Sequence, residues 1–362
     1  MPIAPPALLD QIRWPSSAFT DPQPDPETAR RVKAALGAVP EIIPYLAPLP
    51  WLVDAFMALA TYKPRHVPPN LAEMVHLVVA QDNSCRYCYG TTRTTMKVMG
   101  FPEELLRKIE TDLREAPLSA RDSAALSFVR KVSRCNPRVG KEELAALAQA
   151  GFSREAVAEL TFLASAGCFA NRLATLLAVP PDSFEKMDGA VGRLLRPVLA
   201  WMMKRPRPSW PVPPPPPGAE RFPSLGEALK GLDAAPLVEG IAHLAWESQA
   251  LPKRAKALAI GVIARGIGCE VCEVSARRML LQQGLAEEAI DEGLRHLSSA
   301  ALDPFEIRLA QFARETIRYQ LPQLHLKCRE AFQGLSREAV LEIAGIVSLA
   351  NCVTRLTVLL EP

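Results

Sequence analysis

The chain has 362 residues, 49% of them apolar, which is enough to bury two domain-sized cores. Its 42 Lys and Arg nearly cancel its 39 Asp and Glu. That balance argues against a nucleic-acid or acidic partner and for a small neutral substrate. The N-terminus lacks the basic and apolar regions of a secretion signal, and no stretch reaches about 18 uninterrupted apolar residues, so a cytoplasmic protein without stable membrane insertion is expected. The eight cysteines are too sparse for a disulfide scaffold. In a reducing compartment their pairing points to redox chemistry or metal.

In chain order, residues 1–30 form a Pro-rich extension. Residues 31–203 form a first unit, 204–222 a Pro-rich linker and 223–362 a second unit. The two units repeat at a register of about 184 residues. Cys85-Arg86-Tyr87-Cys88 falls on Cys269-Glu270-Val271-Cys272, Gly100 on Gly284, and Phe128 on Phe312. After a one-residue slip, Gly151 to Val157 falls on Gly334 to Val340 and Arg172-Leu173 on Arg355-Leu356. Such collinear matches read as a tandem duplication with diverged halves. The basic apolar stretch Val191 to Met203 reads as a helix docking on the neighbouring unit. The proline run 213–217 reads as a stiff spacer.

Helical periods recur without a convincing strand pattern, so the expected fold class is all-α, with two tandem helical domains related by an internal pseudo-two-fold. Asn70 is placed as the cap of a helix to about Gln81, with Glu73 as a capping-box partner. Ser84 is placed as the cap of a helix from Cys85 to Met99 that Gly100 ends, with Gly268 in the capping place of the second unit. Further helices are expected at 103–112, 119–133, 141–150, 153–163 and 164–177, each with a counterpart.

Two cysteines three apart on a first helical turn lie on one side, near enough to form a disulfide. The positive helix end favours a thiolate there. Four thiolates from the two pairs would also suit zinc, but pairs this distant on helices are unlike zinc ribbons, and no cofactor is expected. Cys135, Cys168, Cys328 and Cys352 read as buried apolar fillers. Trp51, Phe56, Tyr62 and Trp246 read as core or as the lining of an apolar pocket.

Glu73, Cys85-Arg86-Tyr87-Cys88, a helix to Gly100 and a late helix with Asn171-Arg172-Leu173 resemble the alkylhydroperoxidase D and carboxymuconolactone decarboxylase family. The resemblance covers about residues 50–180 and, more weakly, about 235–361. It implies an all-helical homo-oligomer that reduces hydroperoxides through a dithiol cycle recharged by a dithiol donor. Cys88 would attack the peroxide, Cys85 would resolve the sulfenic acid, and Glu73 would act as base; Cys272 and Cys269 would be the second pair. The family's histidine four residues after the second cysteine is Thr92 here and Ala276 in the second unit, and Ala257 stands at the place of Glu73. Tyr87, Tyr89, Thr92 or His76 would substitute in the relay of the first unit, and Glu270 or Glu273 in the second. The first unit is therefore expected to be the more active. A cofactor-independent lyase and a non-catalytic scaffold are the competing readings.

Overall fold

A computed structural model describes residues 7–136, 138–188, 208–217 and 229–360, together with 197, 198, 200, 201 and 225. Most of the stretch 191–203 lies outside them, as do 204–207 and 218–222 of the linker. The described residues form sixteen α-helices and no strand. The first nine are α1 (Pro26–Leu36), α2 (Ile43–Leu46), α3 (Pro50–Ala60), α4 (Pro69–Asp82), α5 (Arg86–Met99), α6 (Glu103–Thr111), α7 (Ala120–Arg134), α8 (Lys141–Gln149) and α9 (Arg154–Leu176). The rest are α10 (Ala235–Glu247), α11 (Lys253–Ile267), α12 (Glu270–Gln282), α13 (Glu287–His296), α14 (Pro304–Glu315), α15 (Gln323–Phe332) and α16 (Arg337–Leu360). Helices α4 to α7 and α11 to α14 begin at one constant spacing, and α9 and α16 follow with the one-residue slip that the sequence repeat shows.

Several helix starts differ from the sequence reading, each for a local reason. Helix α4 is entered from Pro68 with Pro69 in its first turn, where a missing N–H costs nothing. Asn70 therefore lies inside the helix, and Glu73 is not a capping-box residue. Cys85 itself caps α5, because Ser84 has turned into the left-handed region at φ 48° to reverse the chain after α4. Gly268 takes the same conformation at φ 78° before Cys269, which caps α12. The two helices expected at 153–163 and 164–177 are one, α9. Gly167 within it lets Val79 approach to where a Cβ would lie 3.0 Å from a Val79 methyl. The boundary at residue 30 also moves: Asp25 accepts the Thr28 N–H at 2.9 Å and starts α1 ahead of it.

The long helices α9 and α16 pack against each other at the centre, and α4 and α11 flank them. Helix α16 is long and apolar enough to span a membrane, but 94% of its most apolar window is buried by the rest of the protein. One contiguous apolar core runs through both halves. At its middle sit two wholly buried arginines in equivalent register positions. Arg172 donates to the carbonyls of Thr316 and Ile317, both at 2.9 Å, and to Asn83 Oδ1 at 2.8 Å. Arg355 donates to the Ser133 carbonyl at 3.1 Å, to Ile317 O at 2.9 Å and to Asn351 Oδ1 at 2.6 Å. Each guanidinium thus reaches a carbonyl of the opposite half. Burial, and then the neighbouring Arg172, push the Arg355 pKa down to about 10.

Other contacts tie the halves further. The Trp14 ring meets His325 edge-on at 5.1 Å, and its indole N–H donates to Val179 O at 3.0 Å. Trp51 donates to Glu342 at 2.9 Å. In the linker, Trp210 is buried and donates to Asp54 at 2.9 Å, while Pro213 closes on Gly240 of α10.

Candidate active sites at the two dithiols

Two glutamates in equivalent positions position the helices on which the sites depend. Glu159 accepts the backbone N–H groups of Arg65, His66 and Val67 at 2.6–2.8 Å and the Tyr62 hydroxyl at 2.9 Å, which fixes the loop leading into α4. Glu342 instead pairs with the buried Lys256 at 2.5 Å and accepts from Ser248 and Trp51. The Lys256 ammonium also donates to the carbonyls of Ala245 and Ser248. These carboxylates are structural; the repeat register aligns them, and their donors differ completely between the halves.

In the first half, Cys85 is wholly buried and its Sγ accepts the Cys88 N–H at 3.2 Å. Cys88 is partly buried, and its Sγ hydrogen-bonds to Cys85 and Asn171. The Asn171 side chain is held in turn by Asn83, whose amide donates to it at 3.4 Å. The paired sulfurs are therefore in mutual reach. Burial pushes the Cys88 thiol well above its ordinary value, and the neighbouring Cys85 adds to the rise. The thiolate expected from the helix N-terminus is thus opposed by desolvation, which is the larger effect here.

The relay candidates divide. Burial raises the Glu73 carboxyl, partly offset by His76 one turn on. Glu73 therefore holds its proton more tightly than a free glutamate. Tyr87 is buried, and its hydroxyl donates to Asp182 of the loop after α9 at 2.9 Å; burial first, then Asp182 and then Cys88 push its pKa well up. Tyr89 is wholly buried, with burial first and Glu110 second raising its pKa. Thr92 is only partly buried, on α5.

The second dithiol is arranged differently. Cys269 is wholly buried and Cys272 is 7% exposed, and the Cys269 Sγ accepts the Cys272 N–H at 3.4 Å. Both sulfurs meet one hydroxyl: Thr357 Oγ1 lies 3.1 Å from Cys269 Sγ and 3.0 Å from Cys272 Sγ. Cys272 and Thr357 also line a narrow apolar cavity of about 30 Å³ with Trp246, Ile260, Ile346 and Val353. Of the four aromatics weighed as pocket residues, Trp246 lines this cavity; Trp51 and Tyr62 are engaged by the structural glutamates. Glu270 is exposed, and Glu273 is paired with Arg265 at 2.8 Å, so neither is a free base beside the sulfurs. Sequence reasoning missed Thr357, because its register equivalent is Ala174 and the repeat carries no signal there.

Cys135, Cys168, Cys328 and Cys352 are all buried. Among the described residues no cluster of three or more His, Cys, Asp or Glu is placed to hold a metal. A larger, polar cleft of about 940 Å³ opens between the halves, bordered by Ser84, Arg134, Arg318 and Tyr319. No cysteine lines it.

Residues 233–315 match the sequence model of the carboxymuconolactone decarboxylase family. No curated protein matches the chain. Among solved structures, one similar to this chain is an alkylhydroperoxidase AhpD core, an uncharacterized peroxidase-related protein from Ralstonia eutropha JMP134. It is 22% identical, with a TM-score of 0.42, over 47% of this chain and 95% of that one. A peroxidase-related protein from Silicibacter sp. TM1040 is 23% identical, with a TM-score of 0.39, over 50% and 94%. The apo debrominase Bmp8 is 19% identical, with a TM-score of 0.39, over 47% and 95%. The sequence match lies in the second half, where the motif resemblance is the weaker, and spans residues 233–315.

Proposed function

We propose that the protein is a thiol-dependent oxidoreductase that reduces hydroperoxides through Cys-x-x-Cys dithiol/disulfide cycles, recharged by a dithiol donor. One observation carries the reading. At both sites the first cysteine caps a helix and accepts the N–H of the second, so that each pair is set for bonding without movement of the helix. In each cycle the second cysteine attacks the terminal peroxide oxygen, the O–O bond breaks, and the alcohol or water departs. The first cysteine then displaces water from the sulfenic acid to form the disulfide. The cavity beside Cys272 is lined by apolar groups and hydroxyls without a charged side chain, which favours a neutral substrate over the carboxylated one a lyase would need.

The test is dithiol-dependent consumption of tert-butyl hydroperoxide by the wild type, Cys88→Ser and Cys272→Ser. Turnover that falls in either variant supports the reading, and absence of turnover by the wild type removes it. A homo-oligomer is part of the proposal. Val274 and Leu281 stand two turns apart on α12, 65% and 44% exposed, an apolar pair that a second copy would cover. Light scattering that returns a mass near 39.5 kDa would overturn that assembly.

A further inference from the structure

The two dithiols do not share one chemistry. In the second half the relay positions of the first are empty of acid–base groups, with Ala257 and Ala276 in their places, both wholly buried. In their stead one hydroxyl touches both sulfurs. Thr357 Oγ1 also lies 2.9 Å from Val353 O, to which it donates. A hydroxyl has one proton and two acceptor sites. With its proton on Val353 O, the oxygen can accept an S–H from Cys269 and another from Cys272, which uses its capacity fully. Once Cys272 loses its proton, the hydroxyl rotates and donates to the thiolate instead. Thr357 is therefore an acceptor for the resting dithiol and a donor for the reactive anion.

We infer that Thr357 stabilises the Cys272 thiolate by donating its hydroxyl proton to that sulfur. This rests on the peroxidase reading above for its substrate, and not for the role of Thr357. Cys272 rather than Cys269 faces the cavity and retains exposed surface, so Cys272 is the attacking sulfur. Its thiolate attacks the terminal oxygen of R–O–OH. The O–O bond breaks and R–O⁻ leaves as the alcohol with a proton from solvent. The resulting Cys272 sulfenic acid is attacked by Cys269, water leaves, and the disulfide forms; an external dithiol then reduces it. Beside the sulfur, the apolar space lined by Trp246, Ile260 and Val353 is about 30 Å³, room for about one or two water-sized groups.

Two readouts on the full chain test this. The first needs no peroxide: the rate at which iodoacetamide alkylates Cys272, followed by peptide mass spectrometry against pH. Thr357→Val keeps the shape and removes the hydroxyl. It is expected to slow alkylation at pH 7 roughly tenfold and to move the profile upward by about one unit, while Thr357→Ser restores it. A Thr357→Val profile that overlays the wild type, or a Thr357→Ser variant that behaves like Thr357→Val, overturns the assignment. The second readout is single-turnover formation of the Cys269–Cys272 disulfide with hydrogen peroxide. Thr357→Val is expected to be roughly tenfold slower than the wild type and Thr357→Ser close to it, and equal rates for Thr357→Val and the wild type overturn the assignment. Should no peroxide oxidise either dithiol, the peroxidase reading falls, and the alkylation profile still decides the role of Thr357.

Discussion

Lowering the pH should weaken the fold through one histidine, by an amount the structure sets. His325 is 4% exposed, its Nε2 lies 3.0 Å from the Thr175 carbonyl, and the rings of Trp14 and Phe19 close on it edge-on. Burial pushes its pKa down to about 4, and Arg329 adds to the fall against the opposing bond to Thr175. The folded protein therefore keeps this ring neutral where the unfolded chain, with an ordinary value near 6.5, takes up a proton. A depressed value means that the contribution is complete above about pH 6.5 and is lost as pH falls toward 4. At about 1.4 kcal/mol per unit, the loss is about 1.4 kcal/mol at pH 5.5 and roughly 3 kcal/mol at pH 4. His325→Gln retains an N–H for Thr175 and has nothing to titrate. Urea unfolding of both proteins at pH 7, 5.5 and 4 isolates the effect, because every other titrating group is common to both and the cost of the substitution itself is fixed by the pH 7 pair. The stability gap between them should close by the stated amounts as pH falls. Curves that stay parallel within about 0.5 kcal/mol would refute a buried neutral imidazole at this position.

Other expectations follow from the same buried groups. Because desolvation raises the Cys88 thiol, its alkylation rate should continue to climb above pH 9, and a plateau near pH 7 would contradict the burial argument. Arg172→Met leaves the Thr316 carbonyl and Asn83 Oδ1 without their donor at the junction of the halves; a loss of about 3 kcal/mol or more is expected in chemical unfolding. Glu342→Gln strands the Lys256 ammonium in the core and should cost about 3–5 kcal/mol. Adding Lys256→Met should recover part of that stability, and a double variant no better than the single would show that the pair is not the source of the loss.

What the sequence revealed follows the reach of its signals. Helix type and spacing were legible because apolar periodicity and the Gly, Pro and Ser punctuation act locally. The repeat carried the register from Pro69 to Lys253 and from Ala120 to Pro304 without any knowledge of packing. The repeat also pointed to Arg172 and Arg355, though only coordinates show that each crosses to the opposite half. The caps misled where two candidates stood side by side: Ser84 is the stronger capping residue by type, but the reversal after α4 needs a left-handed residue there and passes the cap to Cys85. Long-range partners left no mark at all. Nothing near Trp14 announces His325, and nothing near Cys272 announces Thr357, since the first contact spans most of the chain and the second most of a domain.

The covalent join between the halves has a consequence for how their sites change. In an assembly of two identical chains, any substitution that suits one active centre is imposed on its twin. Here the crossing arginines hold the halves together as a symmetric pair would be held, yet each centre is encoded separately. Glu73 can stand opposite Ala257, and Ala174 opposite Thr357, without either choice being forced on the other. One molecule is thereby free to surround its two Cys-x-x-Cys pairs with different side chains.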